Sequence, residues 1–126
     1  MKTILVIDDD EALRSAVRVT LESAGYTVLE AADGVVGLRR YRERGADLVL
    51  VELFLAGRDG LEVIVELRTT APETKIVAMS GGGGTGNVGL LNAALALGAS
   101  RALSKPFRLN ELLTSVRELL AERAGP

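Results

Sequence analysis

Ile4-Leu5-Val6-Ile7-Asp8-Asp9-Asp10 runs four aliphatic side chains straight into three carboxylates. The apolar part has strand length, is rich in β-branched residues and shows no polar alternation. That suits a strand covered on both faces, as in a mostly parallel sheet. Residues 3–7 form the first such run, and four others share its character, at 27–31, 48–51, 75–79 and 101–103, the last being the weakest. Between them the apolar spacing changes to that of helices. Leu13, Val17 and Leu21 recur every four residues and Gly25 follows as a stop. A second stripe runs from Asp33, an N-cap type, through Val36, Leu38 and Tyr41 to Gly45. Leu61, Ile64, Val65 and Leu67 follow Asp59-Gly60 and stop before Pro72, whose ring would break a continuing helix. Leu90, Leu91, Ala94, Leu95 and Leu97 precede Gly98, and Leu109, Leu112, Leu113, Val116, Leu119 and Leu120 define one last apolar face.

Strand and helix therefore alternate throughout. Right-handed crossovers between parallel strands need a helix in between, so the pattern predicts an α/β, doubly wound sheet that binds ligands beyond the carboxyl ends of its strands. The 126 residues suit one domain with its own core and leave little room for an output domain. Hydrophobic residues at 48% and charged residues at 25% are the balance of a folded globular protein. A net charge of −2 provides no positive field for nucleic acid or anionic lipid. With no cysteine and no histidine, thiol chemistry, disulfides and zinc sites of the usual kind are excluded, and any chemistry must run on carboxylates, hydroxyls and lysine. The short apolar start ends in aspartates, unlike a signal peptide or a spanning helix, and the expected location is cytoplasmic with no membrane contact.

The polar residues at the strand ends fall on one edge of such a sheet. Asp8, Asp9 and Asp10 follow the first run, Glu52 the third, Ser80 the fourth, and Lys105-Pro106 the fifth. Two carboxylates about 4 Å apart repel by roughly 4 kcal/mol at an effective dielectric of about 20, so several at one spot call for a cation or altered protonation. Oxygen donors without His or Cys favour Mg²⁺, which keeps water ligands that a phosphoryl group can share. Lys105 and the Ser80 hydroxyl would supply a positive charge and a donor to phosphoryl oxygens. The plainer alternative makes the aspartates helix caps and Glu52–Lys105 a structural ion pair.

As a set, Ile4-Leu5-Val6-Ile7-Asp8-Asp9-Asp10, the segment Leu48-Val49-Leu50-Val51-Glu52-Leu53-Phe54-Leu55-Ala56-Gly57-Arg58-Asp59-Gly60-Leu61-Glu62, Ser80, and Leu103-Ser104-Lys105-Pro106-Phe107 resemble the receiver (CheY-like) domain of two-component response regulators. The resemblance covers nearly the whole chain. It implies a flavodoxin-like sheet in the order 2-1-3-4-5 flanked by five helices, a cis peptide before Pro106, and a stand-alone, non-enzymatic role in phosphorelay signalling. It further implies Mg²⁺ held by Asp8, Asp9, the acceptor position Glu52 and the backbone carbonyl of Phe54, with Ser80 and Lys105 contacting the phosphoryl group. A sensor histidine kinase or phosphotransfer protein is the implied donor. A downstream protein, or a second copy in a homodimer, would meet the fourth and fifth helices.

Departures from the family pattern bear on mechanism. Glu52 stands where receivers usually carry the phosphoacceptor Asp. The extra methylene is expected to push the carboxylate by more than about one ångström into the space of an acyl phosphate, and in-line transfer tolerates such misplacement poorly. Glu52 is thus read as a mimic of the phosphorylated state through Lys105 or the metal, as the mark of a pseudo-receiver that works by contact alone, or as a residue that still accepts phosphate or was introduced by engineering. Ala102 replaces a frequent Tyr or Phe and is too small to report the position of Ser80 by rotating. Ala56 replaces a common Pro, and Arg108 stands where an N-cap Asp or Ser is usual.

Gly81-Gly82-Gly83-Gly84-Thr85-Gly86 is expected to be a moving loop or an anion-binding one. Its G-x-G-x-x-G spacing does not make a dinucleotide site, because it follows the fourth strand and no acid occurs from Ser100 to Pro106. A Mg²⁺-dependent phosphatase would use similar ligands but needs a substrate-enclosing cap. Residues 123–126 read as a frayed end.

Overall fold

The computed structural model describes residues 1–55, 59–81 and 87–121. The expectations for Ala56, for the glycines from Gly82 to Gly86 and for residues 123–126 lie outside the described residues. The elements run β1 (Thr3–Ile7), α1 (Glu11–Ser23), β2 (Thr27–Ala31), α2 (Gly34–Arg44), β3 (Leu48–Glu52), α3 (Gly60–Thr70), β4 (Lys75–Ser80), α4 (Asn87–Leu97), β5 (Arg101–Ser104) and α5 (Leu109–Ala121). All strand pairs are parallel, in the order β2-β1-β3-β4-β5.

The uninterrupted apolar runs are explained by two separate cores. Along each strand successive side chains point to opposite faces. Leu5, Ile7, Val49, Val51, Ile76 and Ala78 pack against Leu38 of α2, Val63, Ile64 and Leu67 of α3 and Ala94 of α4. Ile4, Val6, Leu48, Leu50, Val77 and Met79 pack on the other face against Val17 and Leu21 of α1 and Leu112, Val116 and Leu119 of α5.

Three strands extend one residue past the apolar runs. Glu52 pairs with Met79 and Ser80 with Ser104, because the backbone ladder continues although the side chain turns polar. In α3 the buried set is Gly60, Val63, Ile64 and Leu67, whereas Val65 is 45% exposed. In α4 Ala94 is buried and Leu90 and Leu91 pack on the core, but Leu95 and Leu97 face outward.

Side chains end the helices as the sequence suggests. Asp10, Asp33 and Asp59 cap α1, α2 and α3 by accepting from the N–H groups of Leu13, Val36 and Leu61. Arg108, anomalous as a cap, is served from within α5: its N–H donates to Glu111 Oε1 at 2.9 Å, the reciprocal half of a capping box. Arg68 closes the opposite end of α3 by donating to the carbonyls of Gly98 (2.8 Å), Pro72 (2.8 Å) and Thr74 (2.6 Å). Gly98 has φ +122°, and a Cβ there would lie 2.5 Å from Arg68 Cγ, so both backbone conformation and space call for glycine.

Candidate functional site

The carboxyl edge of the sheet brings Asp8, Glu52, Ser80 and Lys105 together from four strand ends. Asp8 is 1% exposed. Its N–H donates to Ala31 O at 3.1 Å, its Oδ1 accepts from Asp10 N at 2.9 Å, and its Oδ2 accepts from Lys105 Nζ at 2.8 Å. Arg14, one turn into α1, donates through Nη1 to Asp8 O at 2.7 Å and pairs through Nε with Glu30 Oε1 at 2.9 Å. This arginine was not anticipated from the sequence. Its place four residues after the cap Asp10, aimed back over the helix start, was the available signal.

Glu52 is 4% exposed, and the chain itself engages both of its oxygens. Oε1 lies 2.5 Å from Lys105 Nζ, and Oε2 accepts the N–H of Phe54 at 2.9 Å. The carboxylate is thus folded into the pocket between an ammonium and a backbone amide. Gly60 makes room for this turn: its N–H donates to Leu53 O at 3.1 Å, and a Cβ on it would lie 2.4 Å from Glu52 O. Sequence reading gave Phe54 a role through its carbonyl. The engaged group here is its N–H, while its side chain is 55% exposed.

Ser80 is fully buried at the end of β4, and its carbonyl accepts Lys105 N at 2.8 Å. The Lys105–Pro106 peptide is cis, as the resemblance implied. Burial by itself lowers the Lys105 pKa, but hydrogen bonds to Asp8 and Glu52, reinforced by both negative charges, outweigh it and hold the ammonium above its ordinary value. Beside it opens a cavity of about 360 Å³ lined by Asp10, Leu13, Gly81, Lys105, Pro106 and Phe107.

Of the sequence-derived metal ligands, Asp8 is buried at the site, Asp9 is exposed beside it and Glu52 is turned onto Lys105. Among the described residues no three His, Cys, Asp or Glu side chains are grouped closely enough to hold a metal ion. The donor chemistry of Asp8, Asp9 and the Phe54 carbonyl, oxygen only, suits a hard divalent cation. In this arrangement the charge partner of Asp8 and Glu52 is the lysine.

A five-stranded parallel sheet in this order, with an acidic and lysine-bearing pocket at its carboxyl edge, defines a flavodoxin-like signalling fold. Residues 4–117 match the response regulator receiver domain family, and the chain belongs to that family. It is 38% identical over 123 residues to response regulator MprA of Mycobacterium sp. (strain KMS), an alignment covering 98% of this chain and 52% of that protein. The chain therefore spans about half the length of this relative. The crystal structure of a CheY-like receiver domain protein from Methanospirillum hungatei JF-1 superimposes with a TM-score of 0.88 at 29% identity, over 97% of this chain and 95% of that one. The receiver domain of NtrX from Brucella abortus gives a TM-score of 0.87 at 30% identity, over 94% and 98%. Receiver domains act in two-component signalling, interact with histidine kinases or phosphotransfer proteins, bind Mg²⁺ in general and are generally not enzymes. Among the described residues no helix is long and apolar enough to cross a membrane.

Proposed function

We propose that this receiver unit signals by protein contact from a state fixed by Glu52, in place of a state reached by phosphorylation. The observation that carries this reading is the double engagement of the Glu52 carboxylate, Oε1 on Lys105 Nζ at 2.5 Å and Oε2 on Phe54 N at 2.9 Å. A carboxylate that accepts a phosphoryl group must present one oxygen in line with the breaking donor bond. Here both oxygens are committed, and Lys105, which in a phosphorylated receiver would meet phosphoryl oxygens, is neutralised by Glu52 and Asp8. Glu52 thus mimics the negative charge that phosphorylation would bring.

Asp8, Asp9 and the Phe54 carbonyl are the groups that would hold Mg²⁺, which supplies charge neutralisation at the pocket when bound. Ser80 is the hydroxyl we assign to contact a phosphoryl oxygen if the acceptor is restored. The partners we propose are a sensor kinase or phosphotransfer protein at the acidic edge and a downstream protein on α4 and α5, in the cytoplasm. The outward-facing Leu95 and Leu97 of α4 support that choice of surface.

Intact mass after incubation with a small acyl-phosphate donor, with and without Mg²⁺, tests the proposal. The chain as it stands should gain nothing. The Glu52→Asp variant, which draws the carboxylate back by one methylene and leaves room for an incoming phosphoryl group, should gain one phosphoryl group only with Mg²⁺. Uptake by the unaltered chain refutes the fixed-state reading, and no uptake by either protein leaves a binding module without phosphoryl chemistry.

A further inference from the structure

The sequence contains four aromatic residues, two Tyr and two Phe. Tyr41 packs against one core cluster, and Tyr26 and Phe107 pack against the other. Phe54 belongs to neither and is 55% exposed. A half-exposed phenylalanine leaves much of its ring in water, so burial in the core is not what its side chain contributes here. Its connection to the pocket is direct, because its N–H is held by Glu52 Oε2 at 2.9 Å. Glu52 thereby bridges Lys105 and the amide two residues along its own chain.

On β5, Ala102 has no ring to rotate. Phe54 is the aromatic residue whose backbone is wired to the acceptor position. We propose that Phe54 is the switch residue of this domain: Glu52 fixes the first turn of the loop after β3 and thereby the orientation in which Phe54 meets a protein partner. The inference rests on the receiver reading for the identity of the acceptor position and is independent of phosphoryl uptake. Glu52 then acts as a positioning residue for Phe54, and loss of its acceptor oxygen, not merely of its charge, releases the loop.

The chain has no tryptophan, so Phe54→Trp introduces a single indole at the proposed switch, which can be excited selectively over Tyr26 and Tyr41. In that background, Glu52→Ala should shift the emission maximum and change acrylamide quenching by about 1.5-fold or more. Glu52→Gln keeps an oxygen that can accept the amide and should stay close to the parent. In proteins that retain Phe54, NMR-detected exchange of its amide hydrogen should be at least about tenfold faster in Glu52→Ala, with Glu52→Gln within about threefold of the unaltered chain. Equal exchange in all three, with well-dispersed spectra showing an intact fold, overturns the proposal. Phosphoryl uptake by Glu52→Asp that leaves the emission of a tryptophan at this position unchanged would also overturn it while sparing the receiver reading. An emission and exchange change without any uptake would support it although the phosphoryl reading had failed.

Discussion

Replacing Lys105 with methionine, which keeps the stem and removes the charge, isolates the bridge at the centre of the site. The ammonium lies 2.8 Å from Asp8 Oδ2 and 2.5 Å from Glu52 Oε1, and those two residues are 1% and 4% exposed. Breaking a buried pair by removing one partner costs about 3–5 kcal/mol, because a charge is left without compensation in a poorly solvated place. Two carboxylates would be stranded here, and they also repel each other. Hydrogen bonds from Asp10 N and Phe54 N remain, and the Lys105 side chain is 18% exposed, so water can enter the gap. The expected loss is therefore about 3 kcal/mol, toward the lower end. With a urea slope of about 1.5 kcal/mol/M, the midpoint should fall by about 2 M. The same experiment with millimolar Mg²⁺ should recover more stability in Lys105→Met than in the parent, since a divalent cation replaces the missing charge. In Glu52→Gln, removing Lys105 should cost at least about 1 kcal/mol less, because one of the stranded charges is gone. A loss below about 0.5 kcal/mol for Lys105→Met would place the bridge with solvent-screened surface pairs and refute the argument.

Because the Lys105 pKa is raised in the folded protein, its contribution is complete below the ordinary value of 10.5 and is lost as the pH rises through the higher folded value. The stability difference between the parent and Lys105→Met, followed by chemical denaturation, should accordingly narrow above about pH 10.5. Arg68→Ala strands the carbonyls of Gly98, Pro72 and Thr74 and should cost about 2–3 kcal/mol by urea melts, with Arg68→Lys restoring less than half because a point charge cannot serve three divergent acceptors. Gly60→Ala puts a Cβ 2.4 Å from Glu52 O, and should destabilise by about 2 kcal/mol and shift the amide resonances of Glu52, Leu53 and Phe54; an unperturbed spectrum would show that the loop has slack.

The sheet was legible because its strands are buried on two sides. Leu5 and Ile7 face one core while Ile4 and Val6 face the other, so the run carries no polar alternation and reads as a central strand at once. Helix faces were harder. Val65 matched the apolar spacing of α3 yet points out, while Val63, two residues earlier and on the opposite side of the helix, is buried; a helix with apolar residues on several sides does not declare which stripe meets the sheet. At the site, the convergence of Asp8, Glu52, Ser80 and Lys105 followed from strand-end position alone. The partner of each oxygen did not. Whether Glu52 extends toward solvent or closes onto Phe54 N depends on a side-chain torsion, which has no signature in spacing. Arg14 and Glu111 were missed for a related reason: each serves a backbone group, and side-chain motifs are silent on backbone demands.

Residue 52 can change without loss of the fold because its backbone and its side chain have separate jobs. The backbone of Glu52 completes β3 by pairing with Met79, and neither core cluster includes its side chain. The side chain has only to satisfy charge at the edge of the sheet. On the proposed reading, an aspartate there would leave room for an incoming phosphoryl group to recruit Lys105. Glu52 meets the ammonium and the Phe54 amide together, so the pocket is already satisfied from within. An external phosphoryl group would then have to displace an ion pair and a hydrogen bond before it could gain either. On the proposed reading, Glu52 supplies within the pocket the charge that a phosphoryl group would otherwise bring, and its second oxygen ties that charge to an exposed aromatic residue two positions along the chain.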